Sequence, residues 1–200
     1  MTDKQLAEIC QALYGVATPL SVGSIAYSIT ETDTEWVLCP RGSKSPEEWL
    51  EDFMALPIWT RIGMVHSGGW IGVEALYEVV KPLILAAIAS GKKVYLAGHS
   101  LGGGHAHLIA GLCILDGIAI EVVTFAAPRF AWANLRRLFE KSSIVRRNYR
   151  FKNDPVTEVA PPPYELAMLL TVLDGPTNPG DFANLRDHSI TNYIAALEPA

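Results

Sequence analysis

Between residues 93 and 152 the chain alternates apolar, β-rich runs with helical patterns, and few folds accept that order. Lys93–Ala97 reads as a strand, Leu101–Leu115 as a helix, Ile118–Phe125 as a strand, Ala131–Lys141 as a helix and Ile144–Phe151 as a strand. A helix between two strands carries the chain back to the end where it started, so the strands lie parallel. The alternation therefore predicts an α/β protein with parallel strands and helical crossovers. At its first strand-to-helix junction stands Gly98-His99-Ser100-Leu101-Gly102.

The flanking segments are less regular. Residues 4–14 carry apolar positions at helical spacing, and Val22–Ile29 and Glu35–Leu38 read as strands joined by the turn Glu31–Thr34. Ser45-Pro46-Glu47-Glu48 starts a helix that ends near Pro57: Ser45 is the N-cap, Pro46 the first helical residue and Glu48 the closing residue of a capping box. Trp70–Ser90 reads as one long helix with a kink expected at Pro82, stopped by Gly91. Asp154–Pro163 is a proline-rich loop and Leu166–Leu173 an apolar run of open type. Gly175–Asn184 is a loop, and Ile190–Leu197 is a closing helix. No repeat or linker divides the sequence, so a single domain over residues 1–200 is expected.

Half of the 200 residues are hydrophobic, enough for a sizeable core. The net charge of −5 gives no electrostatic reason for a nucleic-acid partner or for binding a strongly anionic membrane. Cys10, Cys39 and Cys113 are an odd number in a chain of ordinary size, which predicts reduced, buried thiols and a cytoplasmic protein. The opening MTDKQLAEIC has no basic stretch leading into an apolar one, so no signal peptide is expected. Pro82–Ala89, the longest apolar run, is too short for a transmembrane segment. Nothing in the sequence speaks to the oligomeric state.

A serine between two glycines, with a strand before it and a helix after it, is the setting of a nucleophile elbow. The small neighbours let the turn tighten and the hydroxyl stand clear of the backbone. The competing reading is a plain tight turn or a phosphate loop, but a phosphate loop would carry a lysine after its glycines and none is present. A serine hydroxyl also needs a base. Of the five histidines, His99 adjoins the serine and in an elbow points away from it. His105 and His107 ride on the helix leaving the site, and His66 precedes the elbow, whereas this context uses the order serine, acid, histidine. His188 remains, its alternative being a solvated helix cap. The acid must sit at the carboxyl end of the sheet. Asp116 and Glu121 lie at the other end and Glu140 at a helix end before a strand. Asp154 directly follows Ile144–Phe151, with Glu158 and Asp174 as runners-up.

With these residues in view, the chain resembles the class 3 lipases, a group that includes small fungal triacylglycerol lipases. Arg41-Gly42-Ser43 is similar to their Arg-Gly-Ser/Thr. Trp49 and Asp52 match a Trp and an Asp in the following helix. His66 begins a His-x-Gly stretch, Gly98–Gly103 matches their elbow, and Thr124-Phe-Ala-Ala-Pro-Arg129 is like their Thr-Phe-Gly-x-Pro-Arg. Asn153-Asp154-Pro155-Val156 and Asp187-His188 with Tyr193 resemble their acid and histidine segments. The likeness spans roughly residues 35 to 195. The sequence departs from the pattern at Cys39-Pro40, Gly104 and Phe130-Ala131, and its stretch from Asp154 to His188 is short.

The resemblance implies an α/β-hydrolase-type fold, a mostly parallel central sheet flanked by helices, and a serine hydrolase acting on acyl esters or lipids. It implies Ser100, Asp154 and His188 as the triad, with the amides of Ser43 and Leu101 as the oxyanion hole. No metal or other cofactor is expected. In the family the helix at residues 45–57 is a lid, which would put Trp49, Leu50, Phe53 and Met54 against substrate and allow transient contact with a lipid interface. The other reading of that segment is an ordinary core-packed amphipathic helix. The alternatives for function are an esterase or thioesterase for soluble or aromatic acyl substrates, and a catalytically dead binding module on the same fold.

Overall fold

The computed structural model describes residues 1–42, 56–176 and 185–197. Its centre is a seven-stranded sheet. An antiparallel meander forms one side: β1 (Leu20–Val22), β2 (Ile25–Glu31) and β3 (Glu35–Pro40). Parallel to β3 run β6 (Lys93–His99), β7 (Glu121–Phe125), β8 (Val145–Phe151) and β9 (Thr171–Leu173), in that order. A separate hairpin, β4 (Pro57–Thr60) and β5 (Gly63–His66), stands outside this sheet. Among the described residues the α-helices are α1 (Asp3–Tyr14), α2 (Ser67–Trp70), α3 (Val73–Ala89), α4 (Leu101–Leu115), α5 (Ala133–Lys141) and α6 (Ile190–Ala196).

The two-residue period of the strands sorts their side chains into two cores. Trp36, Leu38, Val94, Leu96 and Val122 face α3, α4 and α5. Val37, Cys39, Tyr95, Ala97, Val123, Phe125, Tyr149 and Phe151 face α1 and α6, meeting Leu6, Cys10, Leu13, Ile190 and Tyr193. Strands buried on both faces read as continuous apolar runs, which is why β6 and β7 stand out in the sequence. The expected mostly parallel sheet with helices on both sides is what forms.

Several boundaries differ from expectation. The run Val22–Ile29 is two strands, because Gly23 takes φ +57° and turns the chain between β1 and β2. The span Trp70–Ser90 is also two elements: Gly72 at φ +84° separates α2 from α3, and α3 then continues as one helix through Pro82. Leu166–Leu173 resolves into the short edge strand β9, and the β4–β5 hairpin was not anticipated.

The carboxyl edge of the parallel strands is built alike three times over. β6, β7 and β8 are each followed by a non-glycine residue at positive φ, respectively Ser100 (59°), Ala126 (53°) and Lys152 (44°). Their amides continue the ladder, Ser100 to the Phe125 carbonyl, Ala126 to Tyr149 and Lys152 to Leu173, each at 2.9 Å. The strands thus stay in register to their ends and then turn sharply together at one edge.

Candidate active site

Ser100 sits where β6 gives way to α4, at φ 59° and ψ −133°. A residue other than glycine in this region costs about 1–3 kcal/mol, which the surrounding contacts must hold in place. Those contacts are close. A Cβ on Gly98 would overlap the Gly102 backbone, and one on Gly102 would overlap the Pro40 carbonyl oxygen. The two glycines therefore let α4 fold back onto β6 and let the end of β3 press against the turn. The Ser100 carbonyl accepts from Gly103 N–H at 2.8 Å and Gly104 N–H at 3.2 Å, which starts the helix. Leu101 is the first residue of α4, so its N–H belongs to the first turn, where no carbonyl within the helix can accept it. The positive end of a fifteen-residue helix dipole lies beside the hydroxyl.

His188 ends a short 3₁₀ turn, Arg186–His188, just before α6. Its Nε2 is 2.9 Å from Ser100 Oγ and its Nδ1 is 2.9 and 3.2 Å from the two Asp154 carboxylate oxygens. Asp154 opens the turn after β8 and caps it, accepting from Val156 N–H at 2.9 Å, and it also accepts from the Tyr193 hydroxyl at 2.6 Å. Burial pushes the Asp154 carboxyl up, yet the His188 contact, the Tyr193 hydroxyl and the Val156 amide together hold it below the ordinary carboxylate range. With the carboxylate as acceptor at Nδ1, that nitrogen carries the hydrogen and Nε2 is left to accept the serine proton. Ser100, Asp154 and His188 are all fully buried. The three residues selected from the sequence form one hydrogen-bonded line.

The competing candidates lie elsewhere. Asp116 pairs with Arg61 at 2.6 Å and Lys81 at 2.7 Å and accepts from Tyr77 at 2.8 Å, which holds it well below the carboxylate range. Glu158 bridges Arg129 and Arg150, and Asp174 is exposed near Lys152. His66 caps α2 by accepting from Gly69 N–H at 3.2 Å, and His107 Nε2 meets Thr124 Oγ1 at 2.8 Å. His99 has partners that its place in the elbow does not reveal. It points away from the Ser100 hydroxyl, as an elbow requires, but toward the turn that carries His188.

The model for the family described as lipase (class 3) matches residues 37–164. The chain belongs to the class 3 lipase family. A comparison with curated proteins found no match. Among solved structures, this class 3 lipase is similar to the triacylglyceride lipase of Rhizomucor miehei, with a TM-score of 0.63, 20% identity, and coverage of 80% of this chain and 72% of that one. It is similar to a variant of MDLA from Penicillium cyclopium, with a TM-score of 0.68, 21% identity, and coverage of 88% and 78%. A triacylglycerol lipase whose catalytic centre is formed by a serine protease triad matches with a TM-score of 0.63 and 21% identity, covering 80% and 71%. These structural likenesses establish the α/β-hydrolase fold, and family membership establishes a serine-dependent ester hydrolase.

In this lipase, Ser43 and the four residues expected to face substrate, Trp49, Leu50, Phe53 and Met54, lie outside the described residues. Among the described residues no group of three or more His, Cys, Asp or Glu side chains is placed to hold a metal ion, and no helix is long and apolar enough to cross a membrane. One contact in the site's surroundings has no signature in the sequence. Tyr14 and His99 make contact across 85 positions, a separation over which no spacing rule operates.

Proposed function

We propose that this lipase hydrolyses fatty-acyl esters, acylglycerols among them, through an acyl-enzyme on Ser100. His188 Nε2 takes the Ser100 proton as the oxygen attacks the ester carbonyl, and Asp154 stabilises the imidazolium that forms. His188 then gives the proton to the leaving alcohol. Water enters, loses a proton to His188 and releases the acid, which restores Ser100. The Leu101 amide supports one side of the oxyanion and Ser43 is proposed for the other, each donor of this kind lowering the barrier by about 3 kcal/mol. Trp49, Leu50, Phe53 and Met54 are proposed to meet the acyl chain. The observation that carries the reading is the 2.9 Å contact of His188 with Ser100 on one nitrogen and with Asp154 on the other, all three groups buried.

One observation favours a second reading, an esterase for soluble, short acyl groups. The acid and the histidine are only 34 positions apart, which leaves little chain to wall a long acyl site. Two measurements separate the possibilities. A fluorophosphonate should label the wild type and fail on Ser100→Ala, whose turnover should fall on the order of a million-fold. A profile of kcat/KM against acyl length should then peak at long chains. A peak at acetyl or butyryl esters would support the second reading, and an unlabelled wild type would leave a binding module.

A further inference from the structure

Nothing inside the triad fixes the backbone that carries His188, yet the imidazole must reach Ser100 and Asp154 at once. Asn192 Nδ2 donates to the Arg186 carbonyl at 2.7 Å at the start of the Arg186–His188 turn, and the His188 carbonyl itself is met by His99. Its Nε2 is 2.9 Å from the backbone carbonyl of His188, and the two imidazoles face one another with centroids 4.6 Å apart and planes 31° apart. A carbonyl only accepts, so Nε2 of His99 bears the hydrogen and Nδ1 is an acceptor. That acceptor faces the Tyr14 hydroxyl at 2.9 Å. Tyr14 is the last residue of α1, and its hydroxyl also presses on Gly42, where a Cβ would overlap it. The chain of contacts therefore runs from α1 through the His99 ring to the His188 backbone, and also touches Gly42.

We infer that His99 and Tyr14 are positioning residues: His99 holds the His188 main chain and packs its ring, and Tyr14 fixes the tautomer and direction of His99 from α1. This rests on the reading of Ser100, His188 and Asp154 as the triad. Burial, and next the nearness of His188, drive the His99 imidazole down to about 3, so it faces the imidazolium formed in turnover as a neutral ring. A ring that adds no positive charge lets His188 take the serine proton unopposed. His99 does not touch the reacting atoms. Its effect is on where His188 stands, and a misplacement of one ångström at a catalytic group costs about a hundred-fold in rate.

The test uses the full chain and a soluble short-chain ester, with kcat, KM and melting temperature measured separately. His99→Ala should lose about a hundred-fold in kcat with KM within about twofold of wild type. His99→Gln, which keeps an N–H for the His188 carbonyl, should recover about tenfold of that loss at a similar melting temperature. Tyr14→Phe should lose several-fold alone and nothing further in the His99→Ala background, because the hydroxyl's hydrogen bond is to the ring while its touch on Gly42 is packing that the phenyl ring keeps. A wild-type kcat in His99→Ala, no recovery in His99→Gln, or a Tyr14→Phe loss that is the same with and without His99 would each overturn the inference. Should His99→Ala fail to fold, Tyr14→Phe decides alone, since it removes one oxygen: unchanged kcat overturns the inference and a kcat loss at wild-type melting temperature supports it. Failure of the triad itself looks different, as hydrolysis retained by Ser100→Ala or a wild type that no fluorophosphonate labels.

Discussion

Asp154 keeps its charge without solvent because its acceptors are met from three directions: the His188 ring, the Tyr193 hydroxyl and the Val156 amide. Asp154→Asn would offer an amide N–H where His188 needs an acceptor, and the ring would adopt the wrong tautomer. Turnover should fall about ten-thousand-fold, with the fluorophosphonate reaction slowed in parallel. Glu158→Gln should stay near wild type in kcat, because Glu158 is an exposed partner of Arg129 and Arg150. A larger loss from Glu158→Gln than from Asp154→Asn would move the acid. The three residues proposed as the triad could be picked out because each sits beside a local signal: glycines around Ser100, a strand end before Asp154 and a closing helix after His188. His99 was legible only in part. Its direction away from the serine follows from the turn, but what it meets there depends on how residues 185–197 and α1 pack, and neither packing has a local signature.

At the scale of the element, the elbow is a packing joint between α4, β6 and the end of β3. Gly98 and Gly102 let three backbones approach, and the obstacles to any side chain there are backbone atoms that cannot rotate away. Gly102→Ala should therefore cost about 1–3 kcal/mol from overpacking and also lower kcat, since the Pro40–Gly42 segment would be displaced. Gly117→Ala is the contrasting change: its site at φ +69° is open, so any penalty is backbone strain away from the joint and kcat should be kept. Thermal melts and turnover on both variants check this, and equal kcat in the two would mean that the elbow tolerates displacement. The elements of the parallel sheet could be read because double burial writes apolar runs of recognisable length. β9, the β4–β5 hairpin and the breaks at Gly23 and Gly72 could not. Short edge strands gain most of their stability from neighbours, and a single glycine at positive φ looks in the sequence like any other glycine.

For the molecule as a whole, the buried histidines tie stability to pH. Burial lowers His99 and His107 to about 3 and His105 to about 4, with His188 adding to the effect at His99. The unfolded chain takes up these protons below about 6.5 while the folded chain does not, so stability is full above that pH and lost as pH falls. Each group contributes about 1.4 kcal/mol per pH unit inside the window, so three contribute about 4 kcal/mol per unit between roughly pH 6 and 4. Denaturant midpoints should fall steeply across that range, and His107→Gln should flatten the slope by about a third. A midpoint unchanged from pH 7 to 5 would contradict the burial of these rings as neutral groups. The contact from Tyr14 to His99 has a consequence of another kind. Residues 14, 42, 99, 100, 154, 188 and 193 converge on one place, so the site closes loops that span most of the chain. Each closure costs loop entropy that must be met before its contact is rewarded, so contacts of this separation are expected to form late in folding. If α1 positions His188 through His99, hydrolysis reports completed folding: a chain with its sheet assembled but α1 undocked should have native-like secondary structure and little turnover.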